Sequence, residues 1–322
     1  MPSLFAIFSG RNRYLAVPAI VFAILLVLAI LRSPNLFSTT GLAGAILVAA
    51  PLILCTLALT PIVLAGRGSV DLSMGPLMAF INVTLIGWLT QYGVTNPVLF
   101  FLWAIGLGAA WQVMQACIIL YVRVAPIIVS LAGFLVLSGV NLMIMKRPSG
   151  LSPEWMLSWG AGTEILSPVT FILLGAFLIW FVFWRSSFHA HVRLTGADER
   201  MAYTSGVRTE VARIGAHALG GVFVGLAAVC YTAMISSGDP TQGSSYTLQA
   251  VTALVLGGAS LAGGRGGLIG SLLGAVNMFL IANLLGTFNF EAMSGSATKL
   301  AFGSILVASL MINLVAARGS KS

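Results

Sequence analysis

Ten apolar runs follow one another along the chain, at 14–31, 42–65, 73–90, 97–121, 124–145, 166–184, 214–235, 247–262, 267–285 and 298–316, separated by shorter polar stretches. A helix of about 20 such residues matches the hydrocarbon thickness of a bilayer, because each residue advances the axis by about 1.5 Å. Only 7% of the residues are charged and 58% are hydrophobic, against roughly 25% charged in a soluble domain. A chain of this composition cannot cover a water-facing surface, so the bilayer is its solvent. The expected fold is an all-α integral membrane protein of about ten transmembrane helices, a single domain over residues 1–322 with little left for a separate soluble part.

Charge placement supplies the orientation. Arg11 and Arg13 precede the first run, which raises a signal-peptide reading. The run is longer than an h-region and no A-x-A-like site follows closely, so a retained span with the N-terminus inside is preferred. Ten spans then return the C-terminus to the same side. Arg11, Arg13, Arg67, Arg123, Arg185, Arg193, Arg200, Arg208, Arg213, Arg265, Arg318 and Lys321 fall inside, and Arg32, Lys146, Arg147 and Lys299 fall outside. That asymmetry agrees with the positive-inside rule. The formal charge of +8 does not point to nucleic acid, because these residues are scattered and form no patch that tracks phosphates. Cys55, Cys117 and Cys230 lie inside apolar runs without ligand-like spacing and read as free thiols.

Two connections are longer than a turn. Residues 146–165 lie outside and carry Trp155 and Trp159, which suits a segment lying along the outer membrane surface and receiving a soluble partner. Residues 185–213 lie inside and hold five of the sixteen basic and three of the eight acidic residues. Within them a short helix is expected over 197–205, ended by Gly206 as a C-terminal cap. Such a helix can rest on the bilayer or dock a cytoplasmic protein. Asp198, Glu199 and Arg200 are too few and too mixed in sign for a lipid-binding polybasic patch, which favours docking.

The stretch "AGRGSVDLSMGPLMAF", residues 65–80, places Arg67 and Asp71 between two runs. On this topology both sit in an inner-surface turn, where Asp71 and Ser73 suit a helix start by satisfying free N–H groups and complementing the dipole. A weak echo follows later. "PIVLAGRGSVDLSMG" and "ALVLGGASLAGGRGG" share apolar residues, glycines, a Ser-Leu or Leu-Ser pair and an arginine, through duplication or composition alone. In the second, Gly266, Gly270 and Gly274 form a small-xxx-small ladder for close helix packing. Gly263–Gly267 with Arg265 reads as a tight inner turn, its arginine anchored to headgroups or a neighbouring subunit. A phosphate loop is excluded, since no lysine follows a glycine as G-x-x-x-x-G-K-[ST] requires.

Catalytic and metal patterns are lacking. His189 and His191 form an H-x-H pair without a nearby Cys or carboxylate at ligand spacing, and His217 at a span start reads as structural. There is no H-E-x-x-H, no G-x-S-x-G and no paired carboxylate within a run. The polar residues inside the runs are Asn82, Thr84, Gln112, Gln115, Asn141, Asn277 and Asn283, and no acidic residue is expected at mid-span. Singly, each amide suits an interhelical hydrogen bond. As a set, the six amides suit a path for a neutral, hydroxylated solute, and the energy for moving it must come from elsewhere.

Three stretches together resemble the permease subunits of bacterial ABC importers for sugars, the group of ribose, xylose and galactose permeases, and more distantly the branched-chain amino-acid permeases. They are "GSVDLSMG" (68–75), "DERMAYTSGV" (198–207) and "VLGGASLAGGRGG" (255–267). They correspond to that family's G-x-[IV]-D-L-S-[VM]-G, N-E-x-A-A-x-x-S-G-[IV] and V-[IL]-G-G-x-S-L-x-G-G-x-G. Asp198 stands where asparagine is usual, Met201 where the first alanine is usual, and Arg67 where a second glycine is common.

The resemblance implies an ABC importer permease fold and a set of partners. These are a second permease chain, alike or a sister; a cytoplasmic ATPase carrying ATP and Mg; and an extracytoplasmic solute-binding protein. No cofactor is implied on this chain. The segment 196–207 would be the coupling element, with Asp198, Glu199, Arg200, Ala202 and Gly206 at the ATPase. The inner gate and turns would comprise Arg67, Asp71, Ser73, Gly75, Gly257, Gly258, Ser260, Gly263, Gly264 and Arg265. The implied solute is a monosaccharide or related polyol. A branched-chain amino acid, a nucleoside or a sugar-like signal molecule is the alternative for the same architecture, and a stand-alone secondary transporter is the alternative class.

Overall fold

The computed structural model describes residues 14–66, 68–287, 300, 302–305, 307 and 311. Among them every regular element is helical, and one isolated antiparallel bridge joins Ser149 to Gly238. In chain order the helices are α1 (Ala16–Arg32), α2 (Thr39–Leu64), α3 (Met74–Thr84), α4 (Pro97–Cys117), α5 (Pro126–Ile144), α6 (Glu154–Leu157), α7 (Pro168–Arg185), α8 (Ser187–Ala197), α9 (Glu199–Thr204), α10 (Thr209–Ile235), α11 (Gly243–Leu256) and α12 (Leu268–Gly286). Helix α3 continues with π spacing over Leu85–Thr90, and α4 does so over Ile118–Val122.

Local chemistry sets many of the boundaries. Proline opens α4, α5 and α7 at Pro97, Pro126 and Pro168, where its missing N–H is not needed. Asn96 caps α4 by accepting from Val98 N at 2.9 Å, and Ser38 caps α2 by accepting from Gly41 N at 3.0 Å. Arg123 and Ser236 take left-handed backbones at the ends of α4 and α10, which stops each helix.

Among the described residues six helices are long and apolar enough to cross a membrane: Thr39–Leu64, Pro97–Val122, Pro126–Ile144, Pro168–Arg185, Thr209–Ile235 and Leu268–Gly286. Ala16–Arg32 and Met74–Thr90 are apolar but shorter. The run 298–316 lies largely outside the described residues, as do Arg11, Arg13, Arg67, Lys299, Arg318 and Lys321.

The core forms around α2 and α10, both mostly buried. Small residues let the backbones meet. A Cβ at Gly108 of α4 would overlap Gly221 O of α10, and one at Gly225 would lie 2.6 Å from Ala104 O. Helices α4, α5 and α7 leave large apolar side chains exposed, among them Leu102, Leu135 and Leu178, as expected of surfaces turned to lipid or to another membrane chain.

Two expectations need correction. The run 247–262 forms only the 14-residue α11, about 21 Å long and short of the roughly 30 Å hydrocarbon core. Its first turn packs against the first turn of α3, with Gly243 and Thr247 against Gly75, and the two helices run on in opposite directions. Residues 146–165 do not simply lie along a surface. Ser149 and Gly238 exchange backbone bonds at 3.0 Å, Met156 is fully buried, and Trp155 Nε1 donates to Thr95 O at 2.7 Å. The segment closes the bundle end that carries the 236–242 turn.

Candidate functional site: a re-entrant segment and the joint beneath it

At the opposite, glycine-rich end, the chain leaves α2 at Leu64 and begins α3 only at Met74. The connection does not turn at the surface. It runs back into the bundle beside α11, so that Leu72 O accepts from Thr247 Oγ1 at 3.1 Å and Gly75 N donates to the same hydroxyl at 3.0 Å. Val70 O accepts from Ser130 Oγ of α5 at 3.1 Å, and Ser69 Oγ donates to Gly66 O at 2.6 Å. Non-helical backbone is tolerated at such depth only when protein satisfies it. Hydroxyls from three directions do so here. Gly75 is required because a Cβ would overlap Gly243 O.

Asp71 is therefore buried, 2% exposed, which corrects the surface-turn expectation. Its Oδ1 accepts from Ser73 N at 2.8 Å and from Ser73 Oγ at 2.7 Å, ahead of α3, whereas the Ser73 side chain caps none of the helix N–H groups. Its Oδ2 accepts from Gln112 Nε2. Gln112 Oε1 lies 3.0 Å from His217 Nδ1. Ser73 Oγ, having donated to Asp71, accepts from Gln115 Nε2 at 2.6 Å and Trp111 Nε1 at 3.3 Å. That fills one donor and both acceptor sites of the hydroxyl. Gln112 and Gln115, expected on a solute path, thus clamp the re-entrant segment to α4.

The same end brings the residues just ahead of the first two sequence stretches against the third. A Cβ at Gly196, the last turn of α8, would overlap Leu64 O and lie 2.8 Å from Gly264 N. A Cβ at Gly66 would lie 2.6 Å from Gly196 Cα, and one at Gly264 would lie 2.9 Å from Ala197 Cα. Gly66, Gly263 and Gly264 all have positive φ, the region that favours glycine. Gly264 N also donates to Leu64 O at 3.2 Å. The two turns of the sequence echo thus touch each other and the end of α8, backbone against backbone.

From that joint the chain continues into α9. Gly206 ends it with φ 83°, as expected, while Asp198 caps its start by accepting from Met201 N at 3.0 Å and Ala202 is buried rather than turned outward. Arg200, Met201 and Tyr203 face outward, the last two 64% and 73% exposed. Glu199 instead turns to α10, where Oε1 accepts from Arg213 Nη1 at 2.7 Å. Burial, and behind it Arg193, hold His189 below the usual imidazole range, and its ring meets Phe183 edge-on.

The remaining amides are dispersed. Asn82 sits towards the other end, donating to Thr232 Oγ1 at 2.9 Å and Ser237 O at 3.0 Å and accepting from Asp239 N at 2.8 Å. Asn141 donates to Pro76 O and Asn277 to Pro18 O, each at 3.0 Å. Asn283 is half-buried on α12. Within the second glycine stretch, Gly257 backs onto Gly270 and Gly274 onto Ala253, so those rungs of the ladder join α11 to α12. A Cβ at Gly258 would lie 2.6 Å from Tyr14 O, Ser260 N donates to Arg265 O at 2.9 Å, and the Arg265 side chain is exposed. Arg67 lies outside the described residues.

Sequence reasoning passes over three participants and gives a fourth, His217, only a structural role. Ser130 and Thr247 carry no signal beyond being hydroxyls in apolar runs. Arg213 and His217 do carry one, since a basic residue one helical turn from a histidine inside a hydrophobic helix calls for a partner.

An all-helical bundle of apolar spans, with a re-entrant segment and a polar loop folded onto its end, defines a multi-pass membrane protein. The profile of the family described as "Branched-chain amino acid transport system / permease component" matches residues 41–315, and the chain belongs to that permease family. It is similar to the Ribose import permease protein RbsC of Bacillus subtilis (strain 168), 29% identical over 231 residues covering 69% of this chain and 71% of that protein. The Escherichia coli (strain K12) protein of the same name is 28% identical over 287 residues, 85% of this chain and 88% of its own length. The Autoinducer 2 import system permease protein LsrD of Escherichia coli O9:H4 (strain HS) is 27% identical over 281 residues, 84% and 81%. No solved structure matches the chain.

Proposed function

We propose that this chain is the permease subunit of an ATP-driven ABC importer that carries a monosaccharide or related polyol across the cytoplasmic membrane. The likeness to ribose import permeases over most of both chains supports the solute class. The likeness to an autoinducer 2 import permease favours one second reading, a small sugar-like signal molecule as cargo.

The observation that carries the mechanism is the joint of Gly66, Gly196 and Gly264. A cytoplasmic ATPase, holding ATP and Mg, would seat against the exposed Met201 and Tyr203 of α9. Its closure would move α8 and α9. Because these backbones are in contact with no side chain between them, that displacement reaches the turn after α2 and the turn before α12 at once. A second permease chain would complete the path along the exposed faces of α4 and α5, and a solute-binding protein would dock at the end closed by 146–165. In this arrangement the glycine-rich end and both termini are cytoplasmic, and the chain crosses the membrane about ten times.

Co-expression of the tagged chain with its ATPase and purification in detergent tests the reading. The ATPase is expected to co-purify with the intact chain and to be lost from Met201→Glu with Tyr203→Glu. Retention by that double variant would contradict docking at α9.

A further inference from the structure

The polar groups between α9 and the re-entrant segment form two bonded runs joined by the backbone of α10, since among the described residues the buried Nε and Nη2 of Arg213 have no hydrogen-bond partner. Glu199 of α9 holds Arg213 of α10, and Arg213 and His217 lie four residues apart, on one face of that helix. His217 meets Gln112, and Gln112 meets Asp71. The direction of each bond follows from the chemistry. A carboxylate only accepts, so Gln112 presents its Nε2 to Asp71 and is left with Oε1 towards His217. His217 must then carry its proton on Nδ1 and donate. Each end of the Gln112 amide has a protein partner and its side chain is fully buried, which favours holding the segment over meeting a passing solute.

We propose that Gln112 and His217 are positioning residues that tie the re-entrant segment 66–75 to α10 and, through Arg213, to the coupling helix α9. This deepens the permease reading and rests on it. When α9 moves, α10 follows through Glu199–Arg213, and the amide of Gln112 hands the displacement to Asp71 and the start of α3. The glycine joint moves the lower end of the same segment. The polar contacts set the position of its upper end, so the segment moves as a unit.

The test reads the position of the segment and needs no solute. A Val70→Cys reporter in a Cys117→Ser background is labelled with a maleimide in the full complex with its ATPase, with and without ATP plus vanadate. The labelling rate is expected to change with nucleotide by about tenfold, and Gln112→Met and His217→Leu are each expected to flatten that change to under about twofold while ATP hydrolysis persists. The double variant is expected to be no worse than either single one, as for members of one bonded run. His217→Asn, which keeps a donor near the Nδ1 position, is expected to restore the response, which a role in packing alone would not explain. If Gln112→Met fails to reach the membrane, the His217→Leu and His217→Asn pair carries the same comparison. A full nucleotide response in His217→Leu overturns the proposal, as does a double variant whose loss is the product of the two single losses. Absence of any co-purifying ATPase with the unaltered chain overturns the permease reading itself, a result distinct from either.

Discussion

Arg213 donates from Nη1 to Glu199 Oε1 at 2.7 Å, and this bond joins the buried start of α10 to the exposed helix α9. Arg213 is 5% exposed and Glu199 is partly exposed, so the pair sits at the rim of the bundle with one charge already desolvated. Glu199→Lys strands the guanidinium beside a like charge. Its expected cost is about 1.5–3 kcal/mol of stability in detergent, with membrane insertion intact and ATP hydrolysis uncoupled from uptake. Comparison of thermal unfolding with the ratio of uptake to hydrolysis checks both parts, and normal coupling would count against the role of α9.

The glycine joint makes a contrast between neighbouring glycines. Gly196→Ala forces a methyl group into Leu64 O and the Gly264 backbone, and overpacking against backbone costs about 1–3 kcal/mol. Gly206 has open space around its Cβ position and only its left-handed φ to lose, so Gly206→Ala is expected to cost no more than about 1–2 kcal/mol. Thermal unfolding of the two variants side by side should rank Gly196→Ala as the more damaging. The reverse order would mean that the backbones do not meet as described.

Asn82 uses both ends of its amide to hold α3 to α10 and to the 236–242 turn. Asn82→Leu is therefore expected to lower stability by about 1–3 kcal/mol and to leave the ranking of competing solutes in an uptake assay unchanged. A changed ranking with unchanged stability would return Asn82 to the solute path.

The physics of the sequence reaches some of these features and not others. Apolar runs of membrane length mark most spans, because burial in lipid acts on composition. The small helix before Gly206 was legible because a C-terminal glycine is a local signal. The depth of Asp71 was not, since its burial depends on Gln112, Thr247 and Ser130, which lie 41 or more residues away along the chain. Likewise α11 is short because Gly243 meets Gly75 of another helix, which hydropathy cannot register. The amides were recognised as interhelical donors, but which helix each one joins is a tertiary property.

Thiol accessibility offers a check on the core. Cys55 and Cys230 are fully buried, with Cys55 Sγ donating to Met78 Sδ at 3.7 Å, whereas Cys117 is half-buried. A bulky maleimide is expected to leave Cys55 and Cys230 unlabelled in the folded protein and to reach them after SDS unfolding, as mass spectrometry of peptides would show. Labelling of Cys230 before unfolding would contradict the packing of α10 against α2.

The most direct measurement is uptake of a panel of labelled monosaccharides and polyols into vesicles that contain the chain and its ATPase, with the solute-binding protein supplied outside and ATP within. Accumulation that requires both ATP and the ATPase, and that falls in Glu199→Lys, is the expected result. Equal accumulation without the ATPase would contradict an ATP-driven permease and point to a stand-alone transporter.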